Sequence, residues 1–255
     1  TRFEHSLGTM HLATLLARHL ALDPADVRLI AAAGLLHDIG HGPFSHTSEA
    51  FLSEFAGHDH HRVDHLLAEP ALAAALGGAD LDPAAISALI RGDHPLADLI
   101  HGDLDADRMD YLLRDAHYTG VPYGTVDAER LIQAGILQER GLGIDESGIQ
   151  AAESLLIART LMRSAVYFHH TSRIATSMLS LALCEHVAGG SADPRSLPAL
   201  DDGGLCQALA GSGSPVARSL LGGLMERRLY KRAIYVGRDQ AGGSFLTDRP
   251  SLSRM

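Results

Sequence analysis

The run Ala31-Ala32-Ala33-Gly34-Leu35-Leu36-His37-Asp38-Ile39-Gly40-His41-Gly42-Pro43-Phe44-Ser45-His46-Thr47-Ser48-Glu49 decides how this chain reads. Its first half is a helix: Val27, Ile30 and Ala31, then Gly34 and Leu35, recur at three- and four-residue steps. That apolar helix ends on a histidine and an aspartate side by side. If the helix continues, His37 and His41 share a face. An imidazole and a carboxylate so placed can both enter the shell of one divalent ion. A core histidine satisfied by a buried carboxylate gives the same pair, so the pair alone decides nothing.

Outward from this run the helical period persists. Leu12, Leu15, Leu16, His19 and Leu20 repeat it upstream, and Asp23-Pro24 and Asp82-Pro83 read as N-caps followed by proline in the first turn. Gly40, Gly42-Pro43, Gly77-Gly78 and Gly120-Val121-Pro122 punctuate the helices. Ser147 to His186 holds two long helices broken near His169 to Ser172. Residues 189–213 read as a loop around one short helix, and Arg228 to Val236 alternates enough for a strand. The expectation is an all-α chain. Residues 1–190 form the main domain, and residues 191–255 a smaller, less regular extension of it.

Composition narrows the function. With 255 residues, 46% hydrophobic and 20% charged, and a mean hydropathy of +0.05, the chain is not disordered. Its charge of −10 argues against a broad grip on nucleic acid, so a polyphosphate would have to meet a local cationic pocket. Two cysteines fit a reducing compartment and exclude a disulfide framework. No apolar run reaches the roughly 18 residues of a membrane span, and no signal peptide is evident, so a cytoplasmic location is expected. The oddity is 16 histidines, interleaved with apolar residues, ten of them before residue 66.

Three further stretches join the central run. They are Arg2-Phe3-Glu4-His5-Ser6-Leu7-Gly8, Gly57-His58-Asp59-His60-His61-Arg62, and Leu104-Asp105-Ala106-Asp107-Arg108-Met109-Asp110-Tyr111-Leu112-Leu113-Arg114-Asp115. Together they resemble the HD-domain superfamily, and within it the deoxynucleoside triphosphate triphosphohydrolases. The resemblance runs from Thr1 to about His170. It implies an HD-type helical bundle that hydrolyses dNTPs to deoxynucleoside and inorganic triphosphate.

Carried over by position, the resemblance makes His5, His37, Asp38 and Asp107 ligands of one divalent ion, which this donor set would accept as Mn, Fe, Mg or Zn. His46 and Glu49 match the catalytic pair, with the carboxylate orienting an imidazole that gives a proton to the departing oxygen. His41 matches a phosphate-contacting or catalytic histidine, and His60, with His61 in reserve, a further active-site one. Arg2, Arg108 and Arg159 match phosphate-binding positions. Tyr111, Asp115 and Tyr167 match the deoxyribose pocket. Where the animal enzymes carry a histidine, this chain has Arg163.

The motif is already under way at Thr1. The resemblance implies a preceding segment with base-proximal residues and, in some members, a nucleotide activator site. Assembly into a homo-oligomer is also implied. Two other readings stand: an HD-type phosphomonoesterase acting on nucleoside monophosphates, and a non-catalytic nucleotide sensor. No Gly-Tyr-Pro follows the motif, as in cyclic-dinucleotide phosphodiesterases, and no Glu-Asp pair follows His37-Asp38, as in alarmone hydrolases.

Overall fold

The computed structural model describes residues 1–138 and 141–233, and helices make up nearly all of its regular structure. The first helix, α1 (Arg2–His19), buries Ala13, Leu16 and Ala17 against Ile30 and Ala33 of α2 (Pro24–Leu36). Pro24 sits in the first turn of α2, as the Asp23-Pro24 pair predicts, although the Asp23 side chain makes no capping bond. Helix α2 stops at Leu36, and residues 37–40 form a turn. His37 and His41 therefore do not share a helix face. The Gly40 backbone lies so close to the His60 carbonyl that a Cβ would overlap it, and Pro43 cannot continue a helix.

Next come α3 (His46–Ala56), α4 (Asp64–Leu67), α5 (Pro70–Gly78), α6 (Pro83–Arg91), α7 (Asp98–His101) and α8 (Ala106–Thr119). Asp82 caps α6, accepting from the Ala84 N–H at 2.9 Å, and Asp105 caps α8, accepting from the Arg108 N–H at 2.7 Å. After α9 (Ala128–Gln133), strands β1 (Gly135–Gln138) and β2 (Gly141–Ile144) pair antiparallel, with Gly135 opposite Ile144.

Helix α10 (Ile149–Met162) runs into a π-helical turn over Arg163–Tyr167, and α11 (His170–Ala188) follows a break at residues 168–169. That is where the sequence breaks its two long helices. Beyond it lie a 3-10 turn (Pro194–Ala199), α12 (Asp202–Ala210) and α13 (Pro215–Met225). Residues 228–233 are irregular, so the expected strand is not formed there; its last three residues, 234–236, lie outside the described residues.

Two apolar clusters hold these elements. The larger joins α1, α2, α6, α8 and α10 through buried residues such as Leu16, Ile30, Ile90, Leu112 and Leu155. The second joins α11, α12 and α13 through Leu183, Leu205 and Leu220, and takes in Phe51 and Leu52 of α3. Each of these side chains contributes roughly 1.5–3 kcal/mol by leaving water. Helix α3 thus carries polar residues at its start and anchors them through an apolar face in the second cluster.

Candidate active site

A cavity of about 820 Å³ opens where α1, α3, α8 and α10 converge. Nearly every candidate residue lines it. Helix α1 supplies Arg2 and His5, the turn after α2 supplies His37, Asp38 and His41, and α3 supplies His46. His60 and His61 come from the loop after α3, and Asp107, Tyr111 and Asp115 from α8. Arg159 of α10 and Tyr167 of the π turn complete the wall. On α8 the spacing explains the grouping, because positions 107, 111, 114 and 115 fall on one helix face. Glu49 does not line the cavity but bonds two histidines that do.

Four donor groups converge on one side. His5 Nε2 lies 3.0 Å from Asp107 Oδ1 and 3.8 Å from Asp38 Oδ2. His37 Nε2 lies 3.2 Å from Asp38 Oδ1 and 3.7 Å from Asp107 Oδ1. Each ring turns its other nitrogen away: His37 Nδ1 bonds the Gly34 carbonyl at 2.9 Å, and His5 Nδ1 meets Asp110 Oδ2 at 2.7 Å. His37 Nε2 is buried with no hydrogen-bond partner among the described residues. An orphaned imidazole nitrogen beside two carboxylates is costly unless something cationic meets it. The donors fit a divalent ion, and His5, His37 and Asp38 could hold one.

Electrostatics agree with that arrangement. Burial opposes charge on His5, but hydrogen bonds with Asp107 and Asp110 and the field of Asp38 raise its pKa to about 10. Burial opposes charge on His37 too, but Asp107 and Asp38 raise its pKa. Asp107 is held far below the carboxylate range by His37 and His5, although burial pushes the other way. Carboxylates crowded round two imidazoles in this way favour positive charge between them, as a bound cation would supply.

A second knot lies beside the first. His46 Nδ1 is 2.9 Å from Glu49 Oε2, and His60 Nδ1 bonds Glu49 Oε1, so one carboxylate serves two imidazoles. His41 stacks on His60 with ring centroids 4.1 Å apart, and its Nε2 lies 3.5 Å from Asp38 Oδ1. Burial keeps His41 neutral, with its pKa lowered to about 4 despite Asp38. The start of α3 is aimed by strained backbone: Phe44 and Ser45 have φ of +57° and +45°. Arg2 clamps this turn, donating to the Gly42 carbonyl at 3.0 Å and to the Ser45 hydroxyl.

Across the cavity, Tyr167 donates its hydroxyl to Asp115 at 2.7 Å, and its ring stands edge-on to Tyr111 at 6.3 Å. Burial, then the Asp115 carboxylate, raises the Tyr167 pKa, so the phenol stays a donor. Arg159 and Arg163, one turn apart, both line the cavity. Arg108 does not. It pairs with Asp105 at 2.6 Å and lines a separate cavity of about 350 Å³ with Asp98 and His101.

Asp110, Arg114 and His101 are among the lining or supporting residues not singled out from the sequence. Asp110 and Arg114 follow Asp107 at helical steps of three and seven, a signal the α8 run contained. His101 comes from the four-residue helix α7, which no periodicity announces.

Known proteins resemble this chain along most of its length. The sequence matches the HD domain family over residues 2–115 and the HD associated region over residues 126–254. It is 38% identical over 246 residues to protein MJ1154 of Methanocaldococcus jannaschii, covering 92% of this chain and 49% of that one. It is 27% identical to the Dictyostelium discoideum homologue of deoxynucleoside triphosphate triphosphohydrolase SAMHD1, covering 91% of this chain and 50% of the homologue. The chain thus spans about half the length of these relatives.

Among solved structures, an Aquifex aeolicus hypothetical protein superposes with a TM-score of 0.77 at 32% identity, over 92% of this chain and 64% of that one. A Bacteroides thetaiotaomicron phosphohydrolase superposes with a TM-score of 0.76 at 28% identity, over 99% and 72%. With both segment matches covering it almost end to end, and with paired His-Asp donors at the core of its cavity, the chain belongs to the HD-domain phosphohydrolase family.

Proposed function

We propose that this chain hydrolyses deoxynucleoside triphosphates to deoxynucleoside and inorganic triphosphate. The observation that carries the reading is one cavity holding the His5–His37–Asp38–Asp107 donor cluster, a histidine knot, Arg159 and Arg163, and the Tyr167–Asp115 pair. The likeness to the Dictyostelium triphosphohydrolase homologue supports the same substrate class.

A divalent ion held by those four donors would supply Lewis-acid polarisation of a phosphoryl oxygen and ease deprotonation of water. The rest of the work falls to this chain's own residues. Arg159 and Arg163 bind the anionic tail. His46 gives its proton to the leaving 5′-oxygen while Glu49 fixes the ring. His41, kept neutral by burial, accepts or donates a hydrogen bond beside Asp38 without adding charge. Tyr111 packs on the sugar, where a 2′-hydroxyl would be crowded and unpaired, and Asp115 takes the 3′-hydroxyl.

The test is product analysis by ion exchange after incubating dGTP, GTP and dGMP with Mn, Mg, Fe or Co. Triphosphate released from dGTP is expected. Orthophosphate from a nucleoside monophosphate would favour the phosphomonoesterase reading, and no turnover of any nucleotide the sensor reading. Burying an unsatisfied hydroxyl costs about 1–3 kcal/mol, so dGTP should beat GTP by roughly 5- to 150-fold in kcat/KM. Tyr111→Ala should narrow that gap; a stable Tyr111→Ala protein with the wild-type ratio removes the steric gate.

A further inference from the structure

Asp110 and Arg114 occupy α8 beside the donor cluster but belong to none of the roles above. Asp110 is buried, and its Oδ2 meets His5 Nδ1 at 2.7 Å. Arg114, one turn on, grips the same carboxylate with both faces of its fork. Its Nε donates to Oδ2 at 2.9 Å and its Nη2 to Oδ1 at 2.7 Å. Bidentate pairing of this kind fixes a carboxylate in direction as well as place. The carboxylate then has one remaining use, which is to accept the Nδ1 proton of His5.

The backbone opposite is cut to fit. On α1, Gly8 faces this pair, and a Cβ built there would overlap the Asp110 carboxylate and crowd the Arg114 guanidinium. Mid-helix glycine costs about 1 kcal/mol relative to alanine. Its place three residues after His5 suits a site where α1 must approach the carboxylate that holds that histidine.

We propose that Asp110, locked by Arg114 and admitted by Gly8, is the positioning residue that keeps His5 protonated at Nδ1 and leaves Nε2 free to ligate. The inference rests on the reading of His5 as a metal ligand. A ring held at Nδ1 by a carboxylate is a better donor at Nε2 and cannot rotate away from the ion. His37 is held differently, by the neutral Gly34 carbonyl, so the two ligating rings are unequal and His5 carries the stronger electron push.

The experiment titrates the whole purified chain with Zn(II) against a chromophoric chelator and reads the imidazole nitrogens of the Zn(II)-loaded protein by long-range ¹H–¹⁵N correlation. In the wild type, His5 is expected with a proton on Nδ1 and an unprotonated, metal-shifted Nε2. Asp110→Asn should weaken Zn(II) binding by roughly 10- to 100-fold. Gly8→Ala, which removes no charge, should weaken it in the same direction by displacing the carboxylate. Asp107→Asn is the control for the underlying reading, since it removes a direct donor.

If Asp107→Asn weakens binding while Asp110→Asn and Gly8→Ala do not, the positioning role is overturned and the metal centre stands. A His5 protonated at Nε2 in the loaded wild type overturns it without any variant. If Asp107→Asn binds Zn(II) as the wild type does, the metal-centre reading fails and takes the inference with it.

Discussion

Glu49 serves two imidazoles and Asp107 faces two more, so the candidate site is built on shared acceptors. His37-Asp38 announces itself as a pair, and His46 with Glu49 as one helical turn, because covalent neighbours and helical neighbours are the two geometries a sequence prints directly. What adjacency conceals is rotation. Arg108 follows Asp107 in the chain but stands about 100° round the helix, and it turns to Asp105 in another cavity. Arg114, seven residues on, returns to the face of Asp107 and lines the cavity. Two predictions belong at this scale. Asp107→Ala should strip bound metal and cut turnover by orders of magnitude, read by metal analysis and by ion-exchange assay of triphosphate release; full occupancy with normal turnover contradicts the ligand assignment. His46→Ala should lower kcat roughly 100-fold or more while metal content and KM hold. An unchanged kcat would hand the proton to His60, which shares Glu49.

At the scale of the element, the turn from Gly40 to Ser45 does what no helix could. The sequence period carries straight through His37 into His41, and read alone it keeps both on one face. The Gly40 backbone lies against the His60 carbonyl, where no side chain fits, a contact between positions twenty residues apart. Such contacts leave no periodic trace. The turn then holds two consecutive non-glycine residues at positive φ, a conformation costing about 1–3 kcal/mol for each. Ser45→Val should therefore lose about that much stability in denaturant unfolding, since a β-branched side chain tolerates φ of +45° worst. Ser45→Gly should fold with near wild-type stability, the relieved strain offsetting the lost Arg2 contact. Equal stabilities for the two variants would mean that the turn is not strained.

For the whole molecule, helix content and order were readable from period and punctuation, but the division of the core was not. Phe51 and Leu52 precede the loop of histidines, yet they pack with Leu183, Leu205 and Leu220, more than 130 residues later. Leu205→Ala, fully buried in that cluster, should cost about 2–5 kcal/mol and depress turnover as well, because it loosens the support under His46. Stability lost with turnover per folded molecule intact would separate the two. The same region contains His186, buried with both ring nitrogens unpartnered among the described residues, and burial lowers its pKa.

The unfolded chain takes up this proton near pH 6.5 while the folded one resists. Stability from this residue is therefore complete above pH 6.5 and lost as the pH falls. His186→Leu should raise stability at pH 7. It should also flatten the acid slope between pH 7 and 5, by at most about 1.4 kcal/mol per pH unit against the wild type. Parallel melting-temperature profiles for the two proteins would refute this.

The footing of α3 reaches past packing into heredity. Phe44, at the strained turn, donates its amide to Asp202 at 2.7 Å, and Asp202 opens α12 in the HD associated region. The segment that carries the chemistry and the segment that follows it therefore share a bond and a core. A crossover that traded one for a cousin's would have to import an acceptor for that amide and a matching bed for Phe51 and Leu52. Substitutions on either side of the seam are therefore expected to be correlated among relatives, which an alignment of their sequences would check.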